Sequence, residues 1–291
     1  MTSAPSSPDH AEGRLPTFLV IGAPKAGTTS LHDYLRRHPD VYMPTRKEPD
    51  FFSDDAAWQG GMRSYARLFR SAGDAVAVGE ASTSYSRYPH VPNVPERIAS
   101  VLPEVRLVYL VRHPIERMIS QYRFRRSKGW EDRPIDVALS SDPTYLDPSR
   151  YAMQLERYLR SFAEHQILVV RSEELRADPA SVMAEVFAFI GVDPDAAAVR
   201  ERRLNASEAG TLRPAPHRVR DVVRRTPGYR RLVDSLPSAV RSGIVRPFVA
   251  RRGPAPIPSR ETVRRLEELL LADADRLRSL VGPELDVWRR R

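Results

Sequence analysis

TFLVIGAPKAGTTSLHDYL, residues 17–35, decides the fold of this chain. Residues 17–21 are β-branched, aromatic or apolar, which predicts a buried strand. A helical pattern begins at Thr28, and the loop between the two is flanked by Gly22 and Gly27. A glycine-flanked loop that leads from a strand to a helix N-terminus presents backbone N–H groups to an anion. The stretch therefore predicts an anion-binding loop at the end of a strand.

The lysine of this loop stands in an unusual place. In the nucleotide-binding P-loop a lysine directly follows the last glycine. Here Thr28 follows Gly27, and Lys25 lies inside the loop. Lys25 adds a point charge and the hydroxyls of Thr28 and Thr29 add donors, beside the backbone N–H groups of Ala26 to Thr29. Taken alone, the pattern also fits a tight strand-to-helix turn with an incidental lysine.

A later strand carries the next candidate residues. VRLVYLV, residues 105–111, is the clearest buried strand of the sequence, and Arg112 follows it directly. Ser120 stands eight residues further on, within a helix predicted over residues 115–127. An arginine can bind a phosphate through two N–H groups, and a serine can add a third hydrogen bond. The pair therefore predicts a second phosphate site. For Ser120 alone, the alternative is a capping or solvent-facing serine.

Strands and helices alternate along the chain, which predicts a parallel sheet flanked by helices. The further strands are expected at residues 75–79 and 166–170, and short helices at 61–69 and 95–102. A final helix at 261–280 should turn its leucines inward. These leucines are Leu266, Leu269, Leu270 and Leu277.

PKAGTTSL and RHPIERMISQY together resemble the two nucleotide motifs of the sulfotransferases that use PAPS (3′-phosphoadenosine 5′-phosphosulfate). The resemblance is closest to the carbohydrate (heparan-type) and bacterial branch, and it covers residues 16–190. It implies an α/β three-layer sandwich with a central parallel sheet, with PAPS as donor, PAP as product and no metal. The implied nucleotide ligands are Lys25, Ala26, Gly27, Thr28 and Thr29 at the 5′ end. At the 3′ end they are Arg112, Ser120 and one of Arg218 and Arg220, of which Arg220 is preferred.

The segment KEPDFF, residues 47–52, resembles the part of that branch whose glutamate is the general base. Glu48 occupies the matching position, so Lys25 and Glu48 are the implied catalytic residues. Asp50 stands where the branch usually has histidine. We expect Phe51 and Phe52 to pack inward and hold both carboxylates near the cleft. The alternative is that the two carboxylates are solvated loop charges.

Substrate contacts are expected from a second polar run, which follows the strand at 75–79. Glu80 matches an acidic position of the family and is an alternative base or a group that orients the acceptor. Ala81 follows where the family often has lysine. With Asp50 and Tyr85, Glu80 completes the candidate substrate-binding set.

Composition sets limits on the chain as a whole. The 291 residues contain no cysteine, which excludes disulfides and cysteine-bound metals, and the net charge of +9 suits a polyanionic ligand. We expect a disordered tail at 1–15 and one domain at 16–291, with an irregular region at 205–258 and a C-terminal helical region at 259–291. Without a signal peptide or a long apolar run, the expected setting is cytoplasmic and bacterial.

Three functions follow from these observations. The first is sulfuryl transfer from PAPS to a hydroxyl of a carbohydrate or a secondary metabolite. The second is a P-loop kinase or NTPase using Mg-ATP, which needs a carboxylate where Arg112 stands. The third is a non-catalytic basic protein that binds nucleotides or nucleic acid, which leaves the Glu48 loop unexplained. The expected partner is a small-molecule or glycan acceptor rather than nucleic acid or a membrane, and a homodimer is left open.

Overall fold

The computed structural model describes residues 14–196, 255–282 and 285–288. Their sheet has five strands in the order β2-β3-β1-β4-β5, and every neighbouring pair is parallel. The strands are β1 Phe18–Gly22, β2 Val41–Tyr42, β3 Ala77–Ala81, β4 Arg106–Val111 and β5 Ile167–Arg171. The predicted α/β fold with a central parallel sheet is therefore confirmed. The two-residue strand β2 was missed, because a strand this short has no alternation to detect.

Helices fill the connections between these strands. The α-helices are α1 Thr28–Leu35, α2 Asp55–Gln59, α3 Met62–Ala66, α4 Val94–Val101, α5 Pro114–Ser127, α6 Ile135–Ser141, α7 Pro143–Leu146, α8 Tyr151–Leu159, α9 Ser172–Ala177, α10 Pro179–Ile190 and α11 Arg260–Val281. Short 3-10 segments lie at Arg67–Ala72, Thr83–Ser86, Asp147–Ser149, Glu164–Gln166 and Pro194–Ala196. The helix predicted at 61–69 is thus split between α3 and a 3-10 segment. In the described part of the chain, no helix combines the length and the apolar character that crossing a membrane requires.

The strand order places the carboxyl end of β1 at a crevice. From β1 the chain moves through β2 to β3 on one side, and it then crosses to β4 on the other side. Ligands of open α/β sheets bind outside the carboxyl ends of the strands at such a switch point. All five residues of β1 are buried, which fixes the strand and leaves the loop after it at the crevice.

The C-terminal helix α11 is attached to the sheet domain. The carboxylate of Asp273 accepts hydrogen bonds from the N–H groups of Ala152 and Met153, both at 3.0 Å, at the start of α8. Leu266, Leu270 and Leu277 are buried as predicted. The prediction for Leu269 is wrong: it is 48% exposed, because it lies at the edge of the packed helix face.

Two predicted segments, the N-terminal tail and the irregular region, overlap only slightly with the residues that the structure describes. Arg14, inside the expected tail, donates from Nη1 to the carbonyl oxygens of Gly73 and Ala75, at 3.2 and 2.5 Å. Leu15 packs against the core. The irregular region expected at 205–258 lies outside the described residues except for its last four positions.

Candidate active site

The loop after β1 has the backbone of an anion site. Gly22 allows Ser86 to approach, since a Cβ at this position would lie 1.9 Å from the Ser86 hydroxyl oxygen. Gly27 caps α1 with φ 104° and ψ 14°, a left-handed conformation that favours glycine. No described residue accepts a hydrogen bond from the N–H groups of Gly27, Thr28 or Thr29. These donors at a helix N-terminus are available to an anion.

One predicted donor of the loop is already paired. The N–H of Ala26 donates to the carbonyl oxygen of Ala23 at 3.1 Å. Ala23 in turn donates its N–H to Leu110 of β4 at 2.6 Å, which ties the loop to the neighbouring strand. Ala26 therefore shapes the loop, and the free backbone donors lie one to three residues later.

Lys25 extends from this loop toward an exposed aromatic pair. Its Nζ lies 4.2 Å from the ring centroid of Phe124, and that ring meets Trp130 edge-on with centroids 5.9 Å apart. Burial lowers the pKa of Lys25, and the nearby Lys47 lowers it further, while Glu48 opposes both effects. Phe124 and Trp130 are 38% and 57% exposed. We call them the aromatic pair.

Arg112 is drawn to the same loop. Its Nη1 donates to the carbonyl oxygen of Lys25 at 3.3 Å, and its Nη2 lies 3.6 Å from a carboxylate oxygen of Glu116. Its Nε is buried and has no hydrogen-bond partner among the described residues. Burial lowers the pKa of Arg112, and the nearby Arg176 adds to the effect. Both features mark a guanidinium that is short of acceptors.

Ser120 lies in α5, the helix that begins two residues after Arg112. It follows Glu116 by four residues, so the two side chains share one face of the helix. Because Glu116 reaches Arg112, Ser120 is placed one turn further along the same face. The joint role of Arg112 and Ser120 at a phosphate stays a prediction.

Arg117, which the sequence analysis missed, holds the loop from behind. Its side chain is fully buried and donates from Nη1 to the carbonyl oxygen of Pro24 at 3.2 Å, from Nε to Ser149 at 2.6 Å and from Nη2 to the carbonyl oxygen of Tyr145. Burial lowers the pKa of Arg117 to about 10. Its position in RHPIERMISQY was visible in the sequence, but its acceptors come from distant segments.

The KEPDFF loop is anchored by its two phenylalanines, as predicted. Phe51 and Phe52 are buried, and Phe51 stacks on Tyr65 with ring centroids 4.3 Å apart. The N–H of Glu48 donates to the carbonyl oxygen of Ala81 at 3.0 Å, which fixes the loop to the end of β3. Glu48 has a left-handed backbone, with φ 57°. For a non-glycine residue this conformation is costly and often marks a functional site.

Lys47, also missed from the sequence, joins this loop to the anion loop. Its Nζ donates to the hydroxyl oxygens of Thr28 and Thr29, both at 3.1 Å. The same nitrogen lies 3.5 Å from Oε1 of Glu48, which also accepts from the Thr83 hydroxyl at 3.3 Å. Glu48 is therefore placed one side chain away from the N-terminus of α1.

Glu80 and Tyr85, two of the predicted substrate-binding residues, are buried. They are 1% and 2% exposed, and the Tyr85 hydroxyl donates to Glu80 at 2.6 Å. Ser82 and Tyr65 also donate to Glu80, at 2.9 and 3.3 Å, while burial raises its pKa to about 7. This enclosure argues against the prediction that Glu80 and Tyr85 touch a substrate. They support the end of β3 instead.

Asp50 remains near the surface of the site. It accepts from the Ser84 hydroxyl at 2.5 Å, and its N–H donates to the Ser82 hydroxyl at 3.0 Å. Burial raises the pKa of Asp50.

Arg218 and Arg220, the remaining predicted nucleotide ligands, lie outside the described residues. Within the described residues, no group of three or more His, Cys, Asp and Glu side chains could hold a metal ion.

Comparison with protein families gives two matches. The model of the sulfotransferase domain matches residues 15–208, which is more than half of the chain. The model of the TilS substrate binding domain matches residues 232–291, too small a share to assign a family.

Curated relatives agree with the longer match. Over 224 residues the chain is 32% identical to the bifunctional heparan sulfate N-deacetylase/N-sulfotransferase 4 of Mus musculus, covering 69% of this chain and 24% of the relative. Over 219 residues it is 31% identical to the heparan sulfate glucosamine 3-O-sulfotransferase 6 of Homo sapiens, covering 65% and 60%. The chain thus spans about a quarter of the bifunctional relative's length.

A solved structure shares the fold. The sulfotransferase from Alicyclobacillus acidocaldarius aligns with a TM-score of 0.68 and 24% identity, over 95% of this chain and 100% of that chain. At this identity the likeness concerns the fold alone.

Proposed function

This chain belongs to the sulfotransferase family, and from that premise we propose that it transfers a sulfuryl group from PAPS to a hydroxyl of a carbohydrate or a secondary metabolite. The single observation that supports this best is the hydrogen bond from Arg112 to the carbonyl oxygen of Lys25. It brings the two sequence motifs together at one site, which carries the cationic side chains of Lys25 and Arg112. Such a site suits a ligand with anionic groups at both ends.

The residues of the site fit a bisphosphorylated nucleotide. The free N–H groups of Gly27, Thr28 and Thr29 suit a 5′-phosphate at a helix N-terminus. The unpartnered Nε of Arg112 suits a 3′-phosphate, and Ser120 of the following helix α5 is the predicted hydroxyl donor. Binding there would compete with Glu116 for the Arg112 guanidinium. Loss of the ion pair between Arg112 and Glu116 would reduce the free energy gained on binding.

When bound, PAPS supplies the sulfuryl group, whose bond to the 5′-phosphate oxygen breaks as a bond to the acceptor oxygen forms. Lys25 has no carboxylate within salt-bridge distance in the described structure, so its ammonium is free to neutralise charge that develops on the leaving phosphate. Glu48 takes the proton of the acceptor hydroxyl. Its side chain is 42% exposed, which leaves it accessible to a substrate.

The aromatic pair supports an acceptor that presents a ring. Phe124 borders Lys25, so any acceptor that reaches the reaction centre from this side passes the exposed faces of Phe124 and Trp130. Aromatic faces pack against the apolar faces of sugars and against other rings. The heparan sulfate sulfotransferases among the relatives are consistent with a sugar.

Isothermal titration calorimetry tests the donor assignment. We expect PAP to bind to the wild-type chain and Mg-ATP to bind at least 100-fold more weakly. A preference for Mg-ATP would favour a kinase or NTPase and reverse the proposal.

The base is tested separately, with a heparan-derived oligosaccharide and PAPS as probes. Glu48→Gln should bind PAP like the wild type and lose sulfation of the oligosaccharide. The exposed Glu104 offers a matched control, because Glu104→Gln removes the same charge away from the loop. Full sulfation by Glu48→Gln would assign the proton transfer to another group.

A further inference from the structure

The chain contains three lysines against 43 arginines, and all three lysines lie around the proposed donor site. Lys25 and Lys128 both face the ring of Phe124, with their Nζ atoms 4.2 and 5.7 Å from its centroid. Lys47 is close enough to Lys25 to lower its pKa. A lysine differs from an arginine in being a compact charge with three tetrahedral donors. Nearly all other basic residues of this sequence are arginines. The clustering of the lysines therefore indicates that this site needs a compact ammonium group.

Lys47 has the most specific contacts of the three. Its ammonium group donates to the hydroxyl oxygens of Thr28 and Thr29 at 3.1 Å and forms an ion pair with Glu48, 3.5 Å away. The two threonine oxygens act as acceptors in these bonds, so their hydroxyl hydrogens stay available to donate to a ligand. The lysine therefore contacts the side chains of the two residues whose N–H groups open α1.

The placement of Lys47 comes from both sides of the crevice. The neighbouring Glu48 is tied to Ala81 at the end of β3, while Thr28 and Thr29 belong to the helix after β1. The Lys47 side chain is 21% exposed, so it is accessible without being freely solvated. Burial lowers the pKa of Lys47, and only the pairing with Glu48 counteracts this. An anion arriving at the N-terminus of α1 would give this partly desolvated ammonium a second negative partner.

We propose that Lys47 is a further donor-binding residue, whose ammonium exchanges a threonine acceptor for the 5′-phosphate end of the nucleotide while it stays paired with Glu48. This inference rests on the proposed function. The KEPDFF loop then contacts the donor through Lys47 and the acceptor through Glu48. One side chain then links binding of the donor to the position of the base.

The test compares PAP with 3′-AMP, which lacks the 5′-phosphate. Lys47→Met keeps the apolar stem and removes the charge. We expect it to weaken PAP binding at least 10-fold in calorimetry and to leave 3′-AMP binding within twofold of the wild type. Unchanged 3′-AMP binding also shows that the variant is folded with its nucleotide site intact.

The neighbouring Arg46 supplies a matched control. It is exposed, and it carries the same charge one position earlier in the loop. Arg46→Met should bind both nucleotides like the wild type. An equal loss for PAP and 3′-AMP in Lys47→Met would give Lys47 a structural role only, and no loss for either would remove it from the site.

The same titrations separate this inference from the proposed function. A wild-type chain that binds PAP, combined with a Lys47→Met variant that binds it equally well, overturns the role of Lys47 alone. A wild-type chain that does not bind PAP overturns both.

Discussion

The guanidinium of Arg112 donates a hydrogen bond to the carbonyl oxygen of Lys25 at 3.3 Å, across 87 positions of sequence. Arg112 directly follows β4 and Lys25 lies in the loop after β1, and these two strands are neighbours in the sheet. Parallel pairing brings their carboxyl ends to the same edge. The relationship makes one site out of two motifs.

Replacement of Arg112 should damage nucleotide binding. Arg112→Ala removes a partly buried guanidinium whose Nε lacks a partner among the described residues. A charge-assisted, bidentate contact with a phosphate is worth about 3 kcal/mol, so PAP affinity should fall about 100-fold in calorimetry. Arg67→Ala removes an exposed arginine outside both motifs and should leave PAP affinity unchanged. Equal affinities in the wild type and Arg112→Ala would place the 3′-phosphate elsewhere.

The charge of Lys25 should give PAP binding a characteristic pH dependence. Because burial, Lys47, Arg112 and Lys128 lower the pKa of Lys25, its ammonium is lost at a lower pH than in an ordinary lysine. PAP affinity should therefore fall as the pH rises, starting below the usual lysine range of about 10.4.

Lys25→Arg provides the comparison, because an arginine stays charged throughout. Burial also lowers the pKa of Lys47, so the informative quantity is the difference in slope between the wild type and Lys25→Arg. We expect a flatter profile for the variant between pH 7 and pH 10. Parallel profiles would show that Lys25 does not titrate in this range.

Glu80 should make the protein less stable at higher pH. Burial raises its pKa from 4.5 to about 7, so the folded state binds the proton more tightly than the unfolded state. Stability from this group is complete below pH 4.5 and is lost as the pH rises to about 7. Glu80→Gln removes the titrating group. Between pH 4.5 and pH 7 the free energy of unfolding of the variant should therefore rise, relative to that of the wild type, by on the order of 3 kcal/mol.

Urea unfolding at pH 5 and pH 8 measures that gain. Glu104→Gln, at an exposed site, serves as the control and should track the wild type. A constant difference between Glu80→Gln and the wild type at both pH values would show that Glu80 keeps its ordinary pKa.

Arg117 should be needed for stability and for the shape of the anion loop. Arg117→Lys cannot reach Ser149 and the carbonyl oxygens of Pro24 and Tyr145 together, so it leaves buried acceptors unpaired. We expect a loss of about 3 kcal/mol in urea unfolding and weaker PAP binding. Arg278→Lys, on the exposed side of α11, should stay within about 0.5 kcal/mol of the wild type. An Arg117→Lys variant as stable as this control would make the buried contacts dispensable.

Local sequence patterns determined the α/β architecture and the two nucleotide motifs. Alternating strands and helices, a glycine-flanked loop and an arginine at a strand end are all readable over a few residues. Because parallel strands place their carboxyl ends at one edge, the meeting of Lys25 and Arg112 could be predicted from the order of the strands. The KEPDFF loop was also identified, since two adjacent phenylalanines indicate an anchor.

Only the tertiary structure decided which polar side chains are accessible and which are paired. Glu80 and Glu48 look alike in the sequence, yet Glu80 is enclosed by tyrosines while the side chain of Glu48 is partly exposed. Lys47 meets Thr28 and Thr29, and Arg117 meets Pro24, through packing between segments far apart in the chain. Burial and pairing of a charge depend on what the rest of the fold places around it, and no short-range pattern records that.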